Sequence, residues 1–184
     1  MREQILQAAE QMVQDRGLEA VSFQQLADAV GLSKATVFHH FRSKDVLTSA
    51  LIERCHSTDY EQYTRVLQRN KTAPKKLRRI AKIYDKALVE NKLCLVASLG
   101  KSASGLSADL RAELASAGQS TLHVLTEIFE QGDVEGTLDF AGKAPTAAFA
   151  FLSLLQGAQH LARFSGDSSM FMRSVDAYLK QIVV

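Results

Sequence analysis

The chain has 184 residues, of which 46% are hydrophobic and 23% charged, so it can bury the core of one domain or of two smaller ones. Its net charge of +2 does not by itself indicate a nucleic-acid partner, and ten glycines and two prolines are too few for a disordered chain. No apolar run approaches the ~18 residues of a membrane span and no signal peptide pattern opens the chain, so we expect a cytoplasmic protein without a membrane partner.

The first part of the chain contains one amphipathic helix followed by two short capped helices. Apolar residues at helical spacing predict the amphipathic helix over residues 2–16. Ser22 begins a capping box for the second helix, and Gly31 ends it because glycine adopts positive φ without steric cost. Ser33 caps a third helix with small and polar residues at its start. This arrangement is a helix-turn-helix, whose second helix enters the DNA major groove.

The remainder of the chain is also predicted to be helical. Ser43 caps a long helix that extends to about residues 69–71. Further helices are predicted from residue 72, over 93–103, over 107–132, over 145–163, and from 167 or 168 to the C-terminal end. No strand pattern or internal repeat is present. The predicted fold class is therefore all-α, with about nine helices arranged as a three-helix head (residues 1–47) and a larger helical body (residues 48–184).

Four successive segments of the head form a long and specific motif: Ile5-Leu6-x-Ala8-Ala9 with Gly17, Val21-Ser22-Phe23-x-x-Leu26-Ala27, Gly31-Leu32-Ser33, and Ala35-Thr36-Val37-Phe38-His39-His40-Phe41-x-Ser43-Lys44-Asp45-x-Leu47. This motif resembles the N-terminal domain of the TetR family of bacterial transcriptional regulators. The resemblance implies a homodimeric repressor that binds a palindromic double-stranded DNA operator. It also implies that the body, residues 48–184, dimerises and releases the operator when it meets an effector.

The resemblance also assigns the DNA contacts by position. Side chains at the start of the third helix would lie within reach of base edges and phosphates. Lys44 resembles the family's lysine that meets a backbone phosphate, and Ser22 resembles the residue whose helix N-terminus binds a phosphate. The predicted DNA-binding residues are Ser22, Ser33, Lys34, Thr36, Phe38, His39 and Lys44.

The sequence departs from the family pattern at Phe38. The family usually has tyrosine there, whose hydroxyl reaches a phosphate, and phenylalanine keeps the packing but loses that hydrogen bond. Operator affinity is therefore expected to depend more on Lys34, Lys44 and the histidines. The alternative for Phe38 is core packing, which is also what we expect of Phe41. For His39 and His40, the alternative to a groove contact is that both are ordinary surface residues.

A second, looser resemblance concerns the body. Leu93-Cys94-Leu95-Val96, Leu106-Ser107-x-Asp109-Leu110-Arg111 and Leu155-Gln156-Gly157-Ala158-Gln159-x-Leu161-Ala162-Arg163 are similar to one TetR subgroup. That subgroup contains electrophile- and hypochlorite-responsive regulators of N-ethylmaleimide reductase genes, in which the cysteine matching Cys94 is the sensing thiol. A helix N-terminus lowers a thiol pKa, which favours this role. In the alternative, Cys94 is an inert small hydrophobe and the effector binds noncovalently.

Other candidate residues for an effector site are polar or aromatic side chains on helices of the body: Tyr60, Tyr84, His123, Phe149, His160 and Arg163. The alternative for each is core packing or a satisfied buried polar group. The basic run over residues 71–86 is predicted to be a solvated helix face, with an auxiliary DNA contact as the alternative. Cys55 lies mid-helix, where nothing in the sequence would activate its thiol.

The last two helices are predicted to form the dimer. The helix from Pro145 is apolar nearly all round, so one face can serve the subunit core while the other needs a partner. The predicted interface residues are Leu152, Leu155, Phe171, Val175, Tyr178 and Leu179.

A thiol enzyme that uses Cys94 with a histidine base is the rival class of function, and the helix-turn-helix argues against it. We therefore expect no catalytic residues, no metal site and no cofactor. The expected partners are operator DNA, a small-molecule or electrophilic effector, and a second copy of the chain.

Overall fold

The computed structural model describes residues 1–184 and confirms an all-α fold of nine helices. In chain order these helices are α1 (Arg2–Arg16), α2 (Phe23–Val30), α3 (Lys34–His40), α4 (Lys44–Leu67), α5 (Ala73–Val89), α6 (Leu95–Gly100), α7 (Ala108–Val134), α8 (Ala144–Ser165) and α9 (Ser169–Ile182). A single 3₁₀ turn, Ala103–Gly105, lies between α6 and α7. None of these helices is long and apolar enough to cross a membrane.

The chain divides into two compact units. The first unit comprises Met1–Thr58 and Cys94–Gly118, so it joins the predicted head to α6 and the first part of α7. Its core holds apolar residues of α1 to α4 together with Leu95, Leu99 and Leu110. Within this unit α1 packs against α2, α3 and α6.

The second unit comprises Asp59–Leu93 and Gln119–Val184. In it α5, α8 and α9 pack against one another, and aromatic rings fill the interior. Phe129 meets Phe151 with ring centroids 6.1 Å apart, and Phe151 meets Tyr178 at 5.7 Å. The predicted functional boundary between residues 47 and 48 stays a prediction.

The serines predicted to cap helices do so. Ser22 Oγ accepts from the N–H of Gln25 at 3.2 Å, and Gln25 Oε1 accepts from the Ser22 N–H at 3.0 Å, which completes the capping box. Gly31 follows α2 with φ 68°, in the left-handed region that favours glycine. Ser43 Oγ accepts from the N–H of Val46 at 3.1 Å and so fixes where α4 begins.

Several helix boundaries differ from the predicted ones by a few residues, and α6 and α7 show the differences that matter here. The predicted helix over residues 93–103 is shorter, because α6 begins at Leu95 and ends at Gly100. α7 extends past its predicted end and stops at Val134. The glycine with positive φ that follows this helix is Gly136 (φ 63°). The loop that follows makes an isolated antiparallel bridge between Leu138 and Val183.

Candidate nucleic-acid interface and sensor segment

The third helix, α3, presents its polar side chains to solvent. Ser33 Oγ accepts from the N–H of Thr36 at 3.1 Å, and the two hydroxyl oxygens lie 2.8 Å apart. Lys34 and His39 are exposed, whereas Val37 is fully buried. This arrangement leaves an exposed face with a cation and a histidine, which suits a helix that enters the major groove.

The two phenylalanines of this segment have opposite environments. Phe41 is fully buried, as expected, and the guanidinium carbon of Arg2 lies 5.0 Å from its ring centroid. Phe38 is 51% exposed, so the core alternative for Phe38 is wrong. The Phe38 ring meets Phe23 edge to face, with centroids 6.1 Å apart and an interplanar angle of 64°. Phe38 therefore belongs to the exposed face of α3.

Lys44 is the first residue of α4, and its side chain is exposed. Lys44 Nζ donates to the backbone carbonyl of Glu19 at 3.3 Å. The hydroxyl of the buried Ser102 faces the Glu19 carboxylate without forming a hydrogen bond of full geometry. This hydroxyl is the main cause that lowers the pKa of Glu19, followed by the N–H of Glu19 itself, with a smaller effect of Lys44.

Lys44 at the start of α4 and Ser102 in the segment after α6 thus both interact with Glu19. Because the pKa of Glu19 is lowered in the folded state, the charged carboxylate stabilises the fold at neutral pH. That contribution is lost as the pH falls through the folded-state pKa of Glu19. Sequence reasoning missed both Glu19 and Ser102, because neither belongs to a local motif.

The segment around Cys94 belongs to the same compact unit as the helix-turn-helix. Cys94 is the N-cap of α6, at the start of this helix as predicted, and it is half-buried. The Cys94 carbonyl accepts from the N–H of Ser98 and from the Ser98 hydroxyl, each at 3.0 Å. Leu95 and Leu99 of α6 are buried in the core that α1 also lines. A group added to Cys94 would therefore lie beside the first turn of a helix in the same unit as the helix-turn-helix.

The predicted effector residues of the second unit fall into two groups. Tyr84 is buried on α5, and its backbone carbonyl accepts from Nε2 of the buried Gln159 at 3.0 Å. His160 and Arg163 are half-buried on α8. Gln159 was not singled out by sequence reasoning, although it follows the buried Leu155 by one helical turn, on the face that packs inward.

The second group is exposed on the surface of the subunit, and its part in an effector site stays a prediction. His123 is exposed and pairs with Glu127, its Nε2 lying 2.9 Å from a carboxylate oxygen one turn along α7. Phe149 is 62% exposed on α8. Tyr60 is also exposed. The helical pattern indicated that these helices were amphipathic but not how each was rotated about its axis.

Most of the predicted interface residues on α8 and α9 are buried within the subunit. Within the subunit the structure buries the five apolar ones, namely Leu152, Leu155, Phe171, Val175 and Leu179. Tyr178 is half-buried against Phe151, and burial raises the pKa of its hydroxyl. Leu161 and Phe164 are instead 66% and 88% exposed, and with Leu154 and Met170 they line a groove of about 620 Å³ between α8 and α9. That these two helices form the dimer stays a prediction.

The basic run on α5 contains both solvated and internal cations. Lys75, Arg79 and Lys82 are exposed. Lys76 is buried instead, and its Nζ donates to the carbonyl of Leu67 at 2.5 Å and to Gln131 Oε1 at 2.7 Å. No group of three or more acidic, histidine or cysteine residues is placed to hold a metal ion.

Lys44→Ala is expected to weaken DNA binding across sequences and to reduce the slope of log affinity against log salt by about 1 for each bound subunit, or about 2 for the expected dimer, because each subunit then neutralises one phosphate fewer. The reason is that a lysine bound to a phosphate releases condensed counterions. Fluorescence anisotropy with a labelled duplex at several salt concentrations measures this slope. Lys180→Ala, which removes an exposed lysine of α9, is the matched control and should leave the slope unchanged. An unaltered slope for Lys44→Ala would remove Lys44 from the interface.

Comparison with known proteins supports the motif on which the site was built. Residues 5–51 match the family model described as bacterial regulatory proteins, tetR family. The HTH-type transcriptional repressor NemR of Escherichia coli strain K12 is 25% identical over 190 residues, which cover 99% of this chain and 93% of NemR.

Solved structures share the whole fold. The crystal structure of reduced E. coli NemR superposes with a TM-score of 0.83 at 24% identity and covers 100% of this chain and 97% of its own. A TetR family regulator from Agrobacterium tumefaciens superposes with a TM-score of 0.95 at 23% identity, again over 100% of this chain and 97% of its own. The helix-turn-helix geometry, the matched N-terminal model and the full-length relative lead to one conclusion: residues 5–51 form a DNA-binding domain of the TetR family, and the whole chain has the fold of TetR family regulators.

Proposed function

We propose that this repressor holds a palindromic operator as a homodimer and releases it when the thiol of Cys94 is modified. One observation carries the proposal: Cys94 occupies the N-cap position of α6, and α6 buries Leu95 and Leu99 in the same core as the helix-turn-helix. The similarity to NemR over nearly the full chain adds a relative that is itself a transcriptional repressor.

The proposed chemistry begins at the thiolate. The thiol of Cys94 loses its proton to solvent, and the thiolate sulfur bonds to one carbon of an activated C=C bond, such as that of N-ethylmaleimide, while the π bond breaks and its electron pair takes up a proton from solvent at the neighbouring carbon. With hypochlorite, the sulfur instead gains an oxygen to form sulfenic acid, and the Cl–O bond breaks to release chloride, so the thiol is oxidised and the chlorine is reduced. Because Cys94 is half-buried, an added group competes for space with the first turn of α6. Displacing Leu95 and Leu99 would then loosen α1, against which α6 packs.

A second route leads from the same segment to the DNA. Ser102 lies just beyond α6 and faces the Glu19 carboxylate, and the Glu19 carbonyl accepts from Lys44. A shift of α6 therefore changes the surroundings of a side chain predicted to hold a phosphate. The supporting contacts all lie within one compact unit, so the proposed signal travels a short way.

Dimerisation is proposed through α8 and α9. The exposed Leu161 and Phe164 are large apolar side chains that water would otherwise cover, and a second copy of the same surface would bury them. Two heads held in this way would meet half-sites in successive major grooves, as a palindrome requires.

The proposal is tested by treating the DNA-bound protein with N-ethylmaleimide or hypochlorite and following release by anisotropy. Wild type should lose at least about tenfold in affinity, which corresponds to about 1.4 kcal/mol. Cys94→Ser should keep its affinity. Cys55→Ser removes the other thiol, which is buried in the same core, and should respond like wild type.

Equal release of wild type and Cys94→Ser would contradict a thiol sensor. Failure of both to release, with binding intact, would do the same and would favour a noncovalent effector, with Cys94 as packing. Loss of the response in Cys55→Ser alone would move the sensing role to the buried thiol.

A further inference from the structure

The exposed face of α3 carries an apolar ring where DNA is expected to lie. Phe38 is 51% exposed, although the next turn of chain buries Phe41 completely. Ala35, one turn earlier on the same face, is also exposed. Single exposed apolar side chains are common, so it is the position of Phe38 on the face expected to meet DNA, and not its exposure alone, that suggests a partner.

The Phe38 ring is held in position from one side. Phe23 lies at the start of α2, is half-buried, and packs against the core of the first unit. The ring of Phe38 contacts Phe23 edge to face at 6.1 Å, so part of its surface is supported and the rest is open. A ring held in this way loses little conformational entropy when a ligand meets it.

The chemistry of the ring selects the partner within the groove. Phenylalanine has no donor, so it cannot make a hydrogen bond to a phosphate or to a base edge. The major groove offers one apolar group, the C5-methyl of thymine, which alanine and phenylalanine contact in direct readout. The cations nearest in sequence, Lys34 and Arg42, are exposed and can supply phosphate contacts instead.

We propose that Phe38, with Ala35 beside it, is a specificity-determining residue that contacts a thymine methyl group in each operator half-site. This inference rests on the proposed operator binding. It explains why an apolar ring stands exposed at this position, and it assigns the ring a role in base selection.

The test uses a duplex selected by wild type from a library of randomised 30-base-pair DNA, with each thymine replaced in turn by deoxyuridine. Uracil lacks only the C5-methyl group. One symmetric pair of replacements should weaken wild-type binding about fourfold per half-site, because burying a group of this size contributes about 0.8 kcal/mol. With Phe38→Ala the same replacement should change the affinity less than about twofold, whereas Phe38→Tyr, which keeps the ring, should retain the discrimination.

Two results would overturn the inference. The first is that wild type binds every deoxyuridine duplex with the same affinity as the unsubstituted duplex. This measurement needs no variant. Alternatively, folded Phe38→Ala, checked by circular dichroism, could keep the full thymine preference. If the library yields no enriched duplex, the proposed operator binding fails as well. Enrichment without any thymine effect rejects this inference alone.

Discussion

Phe41→Ala is expected to lower the free energy of unfolding by about 3–5 kcal/mol. The Phe41 ring is fully buried in the core of the first unit, and truncation would remove both its burial and its contact with the Arg2 guanidinium. Because small domains are stable by only about 5–15 kcal/mol, the loss would take a large share of the total. Urea denaturation followed by circular dichroism measures the change.

Phe38→Ala is the matched control for this variant, three residues earlier on α3, the helix for which Phe41 is the C-cap. Because half of the Phe38 side chain is already exposed and its main contact is one edge of Phe23, truncation should cost about 1 kcal/mol or less. The two substitutions delete the same atoms, so the difference between them reports burial. Similar losses for both variants would show that Phe41 is not the core residue described.

The sequence was sufficient to predict local structure wherever a side chain acts on its own backbone. Ser22 and Ser33 cap helices through hydrogen bonds to residues three positions away, so their signal is complete in a short stretch. The placement of Cys94 at the start of a helix was predicted for the same reason. These hydrogen bonds are short-range, so the helix-turn-helix can be identified from them without knowing how its helices pack.

The choice between core and interface could not be made from the sequence. Leu155 and Leu161 are both apolar residues of α8, yet the first is fully buried and the second is 66% exposed. An apolar pattern shows that a face avoids water but not whether it packs within its own subunit or against another. The predicted interface therefore included the residues that the subunit buries itself.

Contacts between distant segments were equally inaccessible. The ammonium of Lys44, at the start of α4, donates to the carbonyl of Glu19 in the turn after α1. Ser102, in the segment after α6, approaches the Glu19 carboxylate. No spacing rule connects these three positions. Their proximity depends on how α6 packs on α1, which follows from the shape of the core. The proposed link between a sensing thiol and the DNA contact lies in this part of the site.

Gly132→Ala is expected to destabilise the fold by about 1–3 kcal/mol, because the helix has no room for a side chain at this position. A Cβ would lie 2.3 Å from Leu138 Cδ1, 2.5 Å from Leu138 Cγ and 3.0 Å from the Cβ of Ala73. The Leu138 side chain is buried and its backbone is bridged to Val183, so it cannot retreat without disturbing the loop. Thermal unfolding followed by circular dichroism gives the loss.

Gly118→Ala, on the same helix α7, is the matched control with the opposite expected sign. A Cβ at Gly118 has no neighbouring atom within 4 Å, so alanine should stabilise the helix by about 0.5–1 kcal/mol through its lower conformational entropy in the unfolded chain. The sequence predicted that the helix ends near Gly132, yet it continues to Val134, so this glycine serves a close approach and not a helix end. If alanine stabilised both positions, the tight contact with Leu138 would be wrong, and the loop after α7 would have to lie further from the helix.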